Sequence, residues 1–438
     1  MALACLAFTL TACSAPGPGE NASGGSGQSS RRDTPQTTAA PHLVAPAPTT
    51  PATTTPLPAT TVPPTTPPTT APPSTPPRDL TPATTRYVSP PALAASNGDG
   101  SAASPWNDFC YALGHVRTGD LLVVAGTRIT PFDMDNAPTT SASSECRIGP
   151  SATDVIVWGQ SDPLVKGALI LNGAIRWTFD NIDETRSTRM GHQELVNMIG
   201  GTGWRWTNCD LWGAQAFSNF SVGNWGGVVP PTDFRIDHCF IHDNPGWAAG
   251  GHSPFQDHNM YIFTVDGIDA HGVIEDNVIV AAPGGLNVKI GGTGNASDEG
   301  SDGITLRRNV LVNNSADGAN LNVCTNSDAV KVSNNLFVSQ AQSTWAVNIA
   351  LGSFTGSGLA LTDNMFWGYD ATLAHPEPIL WASGTGLYDQ IDLNQPSGRL
   401  TQLRSVHADP GYGPLGSSNS RSSFPSPVRN GVTYGPTS

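Results

Sequence analysis

The sequence predicts an all-β protein built as a right-handed parallel β-helix, a β-solenoid in which every coil adds one short strand to each sheet. The first observation is a phrase of alternating apolar and polar residues around a polar turn. It recurs at residues 234–241, 273–280, 304–312, 330–338 and 359–367. The second observation is the spacing, because one aligned column recurs at steps of 26 to 38 residues, by subtraction, through Asp180, Cys209, Cys239, Asn277, Asn309, Asn335 and Asn364. A repeat of this length made of short apolar strands is typical of a β-solenoid.

Each repeat can bury its apolar face only by stacking on the next one. Alternation with a period of two places one set of apolar columns on one strand face; the columns are Ile236, Ile274, Leu306, Val332 and Leu361, and Phe240, Val278, Val310, Leu336 and Met365. Coils stacked at ~4.8 Å form parallel strands around a continuous core, and connections between parallel strands favour a right-handed path. The asparagine column should form an inward ladder in which the amides bond one another and the turn backbone.

A further strand follows each turn and predicts a polar strip on the outside of the coil. In its copies at residues 260–263, 286–290, 321–324 and 347–350, one set of apolar residues points inward. The alternate set points outward and includes Tyr261, Asn287, Asn322 and Asn348, together with Phe263, Lys289, Cys324 and Ala350. We take Asn287 as the equivalent of Tyr261, with Lys289 two residues further along.

The N-terminal residues predict export and a lipid anchor. Residues 1–13 form a short apolar run that ends in Leu-Thr-Ala-Cys and resembles a bacterial lipoprotein signal, which would leave Cys13 as the lipidated first residue. The alternative is a plain secretory segment that is cleaved nearby. Residues 14–85 are dominated by Pro, Thr, Ala, Ser and Gly, which predicts a disordered linker, and residues 86–438 form the folded domain. We expect a protein anchored at the outer face of the cell membrane, with the domain projecting through or beyond the cell wall.

The charge and the cysteines restrict the partners and the compartment. A net charge of −14 argues against nucleic acid as a partner, and we expect a monomer whose only membrane contact is the lipid anchor. Cys209 and Cys239 share a column in adjacent coils, at a spacing that suits a disulfide; stacked free thiols are the alternative. Cys110 and Cys146 form the second expected pair, which an oxidising compartment permits.

The two ends of the folded part resemble those of the secreted bacterial right-handed parallel β-helix superfamily, whose members include the pectate lyases. The matching segments are Tyr87-Val-Ser-Pro, residues 104–109, Gly119-Asp-Leu-Leu-Val-Val-Ala-Gly-Thr, Asp409-Pro-Gly-Tyr and Ser426-Pro-Val-Arg-Asn-Gly. The resemblance covers residues 86–438 and implies a capping helix at Asp108 to Val116. It indicates the fold and is a poor guide to activity.

The strongest candidate site is the long connection after residue 240 and the strand that follows it. This segment carries His252, Asp257, His258 and Tyr261, and the turn-to-turn step is the longest of the series here. In parallel β-helix enzymes substrates lie above such a strip, where His or Tyr can transfer a proton and a carboxylate can orient it. With Lys289, these residues resemble the catalytic group of polysaccharide lyases and epimerases. The alternative is an ordinary turn that leads into a strand.

Three further sets of residues are candidates for ligand contacts. Trp225 and Trp247 lie in Gly-rich loops and could stack on sugar faces, or they could anchor the loops by burial. Asn287 and Asn322, on the outer strip, are candidates for substrate binding. No cofactor is expected with certainty, but an acidic loop could bind Ca²⁺ through Asp298, Glu299 and Asp302. A zinc site of His242, His252 and His258 matches no compact ligand motif.

These observations favour an extracellular carbohydrate-active protein, a polysaccharide lyase, epimerase or glycoside hydrolase that uses a groove on the β-helix surface. The alternative is a non-catalytic surface module that binds glycan or mediates adhesion. The expected partner is a polysaccharide or a cell-surface glycan in either case. The two hypotheses differ in whether His258, Tyr261 and Lys289 converge on one open groove.

Overall fold

The computed structural model of the protein describes most of the predicted folded domain. The described residues are 82–94, 96–137, 140, 144–191, 194–215, 217–223, 229–244, 257–265, 267–280, 286–292, 300–313, 319–324, 326–339, 347–349, 356–368, 379–382, 388–390, 400–413, 420–429 and 431–437. The predicted lipidation site and nearly all of the predicted linker lie outside them, so both stay predictions. In the described part, no helix is long and apolar enough to cross a membrane.

The described strands form three long sheets that run along the coil, named A, B and C in the order in which the chain visits them. Sheet A contains β1 (Thr85–Val88), β2 (Leu121–Val124), β5 (Ile156–Gly159), β8 (Thr178–Asp180), β11 (Arg205–Thr207), β14 (Arg235–Asp237), β17 (Val273–Glu275), β20 (Thr305–Arg307), β23 (Lys331–Ser333), β26 (Leu359–Thr362) and β30 (Leu400–Leu403). Sheet B contains β3 (Phe132–Asp133), β6 (Leu164–Lys166), β9 (Asp183–Thr185), β12 (Asp210–Trp212), β15 (Phe240–His242), β18 (Val278–Val280), β21 (Val310–Asn313), β24 (Leu336–Ser339), β27 (Met365–Trp367) and β31 (Val406–His407).

Sheet C completes each coil, and its strands carry the predicted outer strip. It contains β4 (Glu145–Ile148), β7 (Ala168–Asn172), β10 (Val196–Ile199), β13 (Ser218–Gly223), β16 (His258–Phe263), β19 (Leu286–Ile290), β22 (Leu321–Val323), β25 (Val347–Ile349), β28 (Ile379–Ala382) and β29 (Tyr388–Gln390). Pairing within the three sheets is parallel except between β28 and β29. A small antiparallel pair, β32 (Val428–Arg429) and β33 (Val432–Thr433), lies near the C-terminus. The predicted parallel β-helix is confirmed.

One short helix closes the N-terminal end of the coil, as the resemblance implied. Helix α1 spans Phe109–His115, and the Asp108 side chain caps it by accepting a hydrogen bond from the backbone N–H of Tyr111. Its buried residues include Phe109 and Leu113, which join the main core. The helix therefore shields the apolar interior at the first coil, where no preceding coil could cover it.

The predicted asparagine ladder runs along the turns between sheets A and B. Nδ2 of Asn309 donates to Oδ1 of Asn335 at 3.0 Å and to the backbone carbonyl of Ile274 at 2.9 Å, and Asn277 and Asn335 repeat the pattern. The residue before each ladder position has a positive φ, for example Asp276 at 56°. The predicted start of the column was wrong, because Asp180 pairs with Thr207 within sheet A. The ladder position in that coil is taken by Ile182, which follows the positive-φ residue Asn181.

Both predicted disulfides are present. Cys209–Cys239 joins adjacent coils and continues the ladder column, with Cα atoms 4.6 Å apart. Cys110–Cys146 ties helix α1 to strand β4. Cys324 is the free cysteine among the described residues, and it is buried.

A second asparagine ladder, which the sequence analysis missed, runs along the turns between sheets B and C. Nδ2 of Asn259 donates to Oδ1 of Asn287 at 2.7 Å, and Nδ2 of Asn287 donates to Oδ1 of Asn320 at 2.6 Å. Nδ2 of Asn219 likewise donates to Oδ1 of Asn259. Each of these amides also donates to a backbone carbonyl at the end of a sheet B strand, such as Val280 or Val312. Two corners of the coil are thus held by amide ladders.

One apolar column points outward from its strands, whereas the sequence analysis predicted that it points inward. Phe240, Val278, Val310, Leu336 and Met365 do not join the main core. They form a separate buried cluster on the outer face of sheet B, where Phe424 and Tyr434 of the C-terminal segment cover them. The alternation was interpreted correctly as strand, but an outer apolar face with its own cover looks the same in sequence as an inner one.

Candidate functional site

The register of sheet C places one column of polar residues along the outer face of the coil. Strand pairing joins Ser221 to Tyr261, Tyr261 to Lys289 and Lys289 to Asn322. Lys289 is therefore the direct neighbour of Tyr261, and the predicted equivalence of Asn287 with Tyr261 was wrong. Asn287 lies in the second ladder, with its amide bonded to Val312 and Asn320.

His258, Tyr261 and Lys289 converge in the middle of this column. Nζ of Lys289 lies 4.6 Å from the ring centroid of Tyr261, over its face, and the His258 and Tyr261 ring centroids are 5.8 Å apart. Phe217 contacts both rings edge-on, at 6.5 Å from His258 and 5.5 Å from Tyr261. The arrangement places an ammonium, a phenol and an imidazole within one short stretch of two neighbouring strands.

The environment of His258 favours the neutral imidazole. Burial lowers its pKa well below the usual value, and the positive charge of Lys289 lowers it further. Nδ1 accepts a hydrogen bond from the backbone N–H of Leu286 at 3.4 Å, so the proton of the neutral ring is on Nε2. His258 is therefore arranged to present an N–H donor, and Nε2 is the ring atom left to meet a ligand.

The cluster is much less accessible than an open strip would be. His258 is 1% exposed, and Tyr261 and Lys289 are each 2% exposed. His258 is the first residue of a buried strand, so the expectation of a loop histidine that contributes little packing was wrong. A polymeric substrate can reach these groups only if the residues that cover them move.

Two unsatisfied amide atoms lie in the same outer column. Asn322 is fully buried, and its Oδ1 accepts from the Cys324 thiol, whereas its Nδ2 has no hydrogen-bond partner among the described residues. At the other end of the column, where β10 pairs with β13, Asn197 is 5% exposed, and the described part of the chain offers its Oδ1 no partner. Buried amide atoms without partners cost free energy, and a polar ligand or water in the column would offset that cost.

The other predicted site residues are scattered or lie outside the described residues. Asp257 accepts a hydrogen bond from the backbone N–H of Phe217 at 3.0 Å, which orders the start of β13. Asp302 accepts from the backbone N–H groups of Asp328 and Gly267. Outside the described residues lie His252, Trp225, Trp247, Asp298 and Glu299. Among the residues that the structure describes, no three His, Cys, Asp or Glu side chains are grouped to hold a metal ion.

The structure also reveals a polar cluster on the outer face of sheet B that the sequence analysis did not predict. Arg128 donates through Nη2 to Asp183 and to Asp210, each at 2.6 Å. His242, one coil beyond Asp210, contacts its carboxylate through Nε2 at 2.9 Å. The indole of Trp212 lies between the two cations, with Arg128 at 5.0 Å and His242 stacked at 5.8 Å. Arg128 is distant in sequence from its partners, so no local motif could have shown the cluster.

The carboxylates around His242 give it the opposite protonation behaviour from His258. Burial alone would lower the pKa of His242, but hydrogen bonds to Asp210 and Asp243 raise it to about 9. Burial raises the pKa of Asp183 to about 8, with the neighbouring carboxylates of Asp210 and Asp162 acting in the same direction. Trp212 contacts both Arg128 and His242, and these cations are paired with carboxylates, so the cluster is best explained as a structural ion network.

Comparison with known proteins found solved structures whose sequence identity to this chain is low. No family profile and no curated protein matches the sequence. A mutant of the alginate lyase AlyGC aligns at 12% identity and a TM-score of 0.39, over 70% of this chain and 42% of that chain. Pectate lyase Pel9A aligns at 13% identity and a TM-score of 0.37, over 64% of this chain and 79% of that chain. A lacto-N-biosidase from Eubacterium ramulus aligns at 11% identity and a TM-score of 0.40, over 74% of this chain and 68% of that chain.

The chain therefore spans less than half of the alginate lyase chain that it matches. Identities and TM-scores of this size carry no argument about chemistry, and the architecture rests on the strand pairing described above. On that ground the fold that the resemblance implied is present: the chain is a parallel β-helix with three long sheets.

Proposed function

We propose that the protein is carbohydrate-active and that it acts on a polysaccharide through the outer column of sheet C, by proton transfer at Tyr261 assisted by a hydrogen bond from His258. The observation that carries the proposal is the convergence of His258, Tyr261 and Lys289, with Nζ of Lys289 4.6 Å from the Tyr261 ring centroid. A tyrosine can give or take a proton, and an imidazole N–H and a nearby ammonium both stabilise negative charge that develops on the substrate.

The roles follow from the surroundings of each side chain. With Nδ1 engaged by Leu286, the neutral ring of His258 acts through Nε2–H as a hydrogen-bond donor to a sugar oxygen on which negative charge develops. Tyr261 supplies the proton-transfer atom. Lys289 binds a carboxylate or a developing enolate, which suits a lyase or an epimerase better than a hydrolase, because glycoside hydrolysis typically uses two carboxyl groups.

Unsatisfied amide atoms extend the proposed site along the coil axis. Nδ2 of Asn322 adjoins Lys289 in the register, and Oδ1 of Asn197 lies beyond Ser221 at the other end of the column. Neighbouring strands are ~4.8 Å apart, so these groups would meet successive parts of an extended ligand. A chain molecule thus explains the column better than a single small sugar.

The alternative, a non-catalytic glycan-binding or adhesion module, has one observation in its favour. The three converging side chains are nearly inaccessible, and a buried lysine beside an aromatic ring can serve packing alone. Turnover, as opposed to binding, distinguishes the two functions.

A panel of neutral and acidic polysaccharides, incubated with the full chain, tests the proposal. New reducing ends together with unsaturated products would identify a lyase, and reducing ends alone a hydrolase. Products or epimerised residues that disappear in Lys289→Met would support the proposed cluster. His271→Gln is the control, because His271 is exposed and lies in the connection before β17, outside the sheet C column. Binding without turnover by the wild type would favour the adhesion module.

A further inference from the structure

The outer face of sheet A carries a band of cationic side chains on a protein of net charge −14. We call it the arginine face and define it by four arginines, Arg205, Arg235, Arg307 and Arg308, together with Lys331 on the strand after them. The first two arginines are paired in register on adjacent strands, and the other two lie at the end of β20, two strands further along. The face lies on a different sheet from the column of the proposed function.

Buried carboxylates beneath the guanidinium groups hold them in place. Asp237 accepts from Nε and Nη2 of Arg205, each at 3.0 Å, and pairs with Nε of Arg235 at 2.5 Å. Glu275 pairs with Arg235, Arg307 and Arg308. Both carboxylates are fully buried. Burial would raise the pKa of Asp237, but hydrogen bonds from His238 and Arg205 lower it overall, so this carboxylate stays ionised.

The cations outnumber the carboxylates on this face. Strands β11, β14, β17, β20 and β23, with the residue after each, carry five Arg or Lys side chains and three Asp or Glu side chains. The cations are the four arginines and Lys331; the carboxylates are Asp237, Glu275 and Asp276. These five strands therefore carry a surplus of two positive charges, whereas the chain as a whole is acidic.

The guanidinium groups keep part of their donor capacity for solvent. Arg205, Arg235 and Arg307 are 36%, 44% and 40% exposed, although their carboxylate partners are not exposed at all. An arginine has five N–H donors, and no described hydrogen bond or ion pair uses Nη1 of these three residues. A guanidinium fixed by one edge loses little further freedom when the other edge binds an oxyanion.

The geometry favours an extended ligand along the coil axis. Neighbouring strands are ~4.8 Å apart, so the cations of β11, β14, β20 and β23 lie one or two strands apart along the axis, at intervals that suit charges on a linear polymer. Asp233 and Asp269, which both pair with His271, border the face at the start of its strands. Carboxylates match the planar fork of arginine and can bind it through two parallel hydrogen bonds.

We propose that the arginine face is a second, non-catalytic binding surface for a linear acidic polysaccharide, which it holds through the carboxylate groups of the polymer. The surface would fix the protein on an anionic glycan independently of the sheet C column. A phosphate-bearing polymer also presents anionic oxygens, so the test must distinguish it from a polysaccharide that carries carboxylate groups.

Binding of polygalacturonate to the full chain tests the proposal, with dextran as the uncharged comparison and inorganic polyphosphate as the phosphate arm. All proteins carry Lys289→Met, so that sheet C cannot bind the polymer through its ammonium. The expected result is binding of polygalacturonate, weakening with added salt, and no binding of dextran. The double variant R235Q/R307Q should bind about tenfold more weakly or worse, the scale of losing charged hydrogen bonds.

Two controls separate binding from folding. R147Q removes an exposed, paired arginine from sheet C and should bind as the parent does. K331Q removes an exposed cation of the band and should weaken binding even if R235Q/R307Q fails to fold. Equal binding by K331Q and the parent, or tighter binding of polyphosphate than of polygalacturonate, would overturn the proposal. Because the sheet C site is disabled throughout, a negative result here leaves the proposed function standing.

Discussion

His242 and His258 are the same side chain in two opposite electrostatic environments on consecutive strands of the chain. His242, on sheet B, contacts the carboxylates of Asp210 and Asp243, which raise its pKa to about 9. His258, on sheet C, is more deeply buried and lies near the ammonium of Lys289, and its pKa is lowered. At neutral pH the first is a cation within an ion network, and the second is a neutral ring.

The difference shows that partners, and not residue type, decide what a buried polar group can do. On sheet B each charge is offset by an opposite charge a few ångströms away, so the cluster is fixed and stabilising. On sheet C the polar column holds a neutral imidazole and two unsatisfied amide atoms, which are features that a ligand could complete. The proposed chemistry belongs to the second environment because proton transfer needs a group whose proton is not already committed.

The largest effect should separate the two histidines by function. His258→Gln should lower turnover by about 10²–10³-fold, the usual loss when a donor to a developing negative charge is removed or displaced, whereas His242→Gln should leave turnover unchanged. The measurement is the rate of product formation on the polysaccharide that the panel identifies, with thermal melts alongside. Because His258 is buried and His242 is half-buried within an ion network, both variants should melt somewhat earlier than the wild type. Full activity in His258→Gln combined with loss in His242→Gln would reverse the comparison.

The fold could be predicted from the sequence because its determinants are periodic. Ladder asparagines such as Asn309 and the inward columns recur with a period that the sequence shows, whereas the capping helix from Asp108 to Val116 was implied by the family resemblance. The errors arose because a periodic pattern does not show which face of a strand points inward or which register aligns two strands. The column of Phe240 could face inward or lie under an outer cover, and Asn287 could be aligned in either of two registers. A shift of one residue exchanges the faces of a strand, so only the stacked structure decides.

The candidate site was predicted in part, for a related reason. His258, Tyr261 and Lys289 were recognised from residue type and from their place after a long connection, and they do converge. Their burial could not be predicted, because it depends on how distant segments cover the strip. Arg128 reaches Asp210 across 82 positions of sequence, and no spacing rule connects such residues.

The comparison extends to the interior, where Asn309 is a buried polar group with every partner present. Its Oδ1 accepts from Asn277, and its Nδ2 donates to Asn335 and to the Ile274 carbonyl. Asn309→Leu should therefore leave buried groups unpaired and lower the free energy of unfolding by about 1–3 kcal/mol. Chemical denaturation measures the loss, and Lys331→Ala on the exposed side of the next coil is the control. An unchanged unfolding free energy would show that the ladder does not stabilise the coil.

Glu184 is the opposite interior case, a buried carboxyl for which the described residues provide no well-formed hydrogen bond to either oxygen, although the backbone N–H of Leu169 partly opposes the effect of burial on its pKa. It occupies an inward position between Val165 and Leu211, and burial raises its pKa well above the usual value. Glu184→Leu should raise the free energy of unfolding by about 1–3 kcal/mol, since an unsatisfied buried group is removed. Denaturation at neutral pH measures the gain. A variant less stable than the wild type would mean that Glu184 has a partner that this structure does not show.

The smallest effect is the contribution of His242 to a pH window that it shares with Asp183, whose pKa burial raises to about 8. Its folded pKa of about 9 lies above the unfolded value near 6.5, so its stabilising contribution is complete below pH 6.5 and is lost as pH rises to 9. For His258 the folded pKa is lowered, so its contribution is present above pH 6.5 and is lost as pH falls below that value. Between pH 6.5 and 9 the wild type should therefore lose about 0.5–1.5 kcal/mol more stability than His242→Gln, the usual net value of a hydrogen bond. His258→Gln, the control, should keep the wild-type slope in this window. Identical slopes for the wild type and His242→Gln would mean that the carboxylates do not hold the proton on His242.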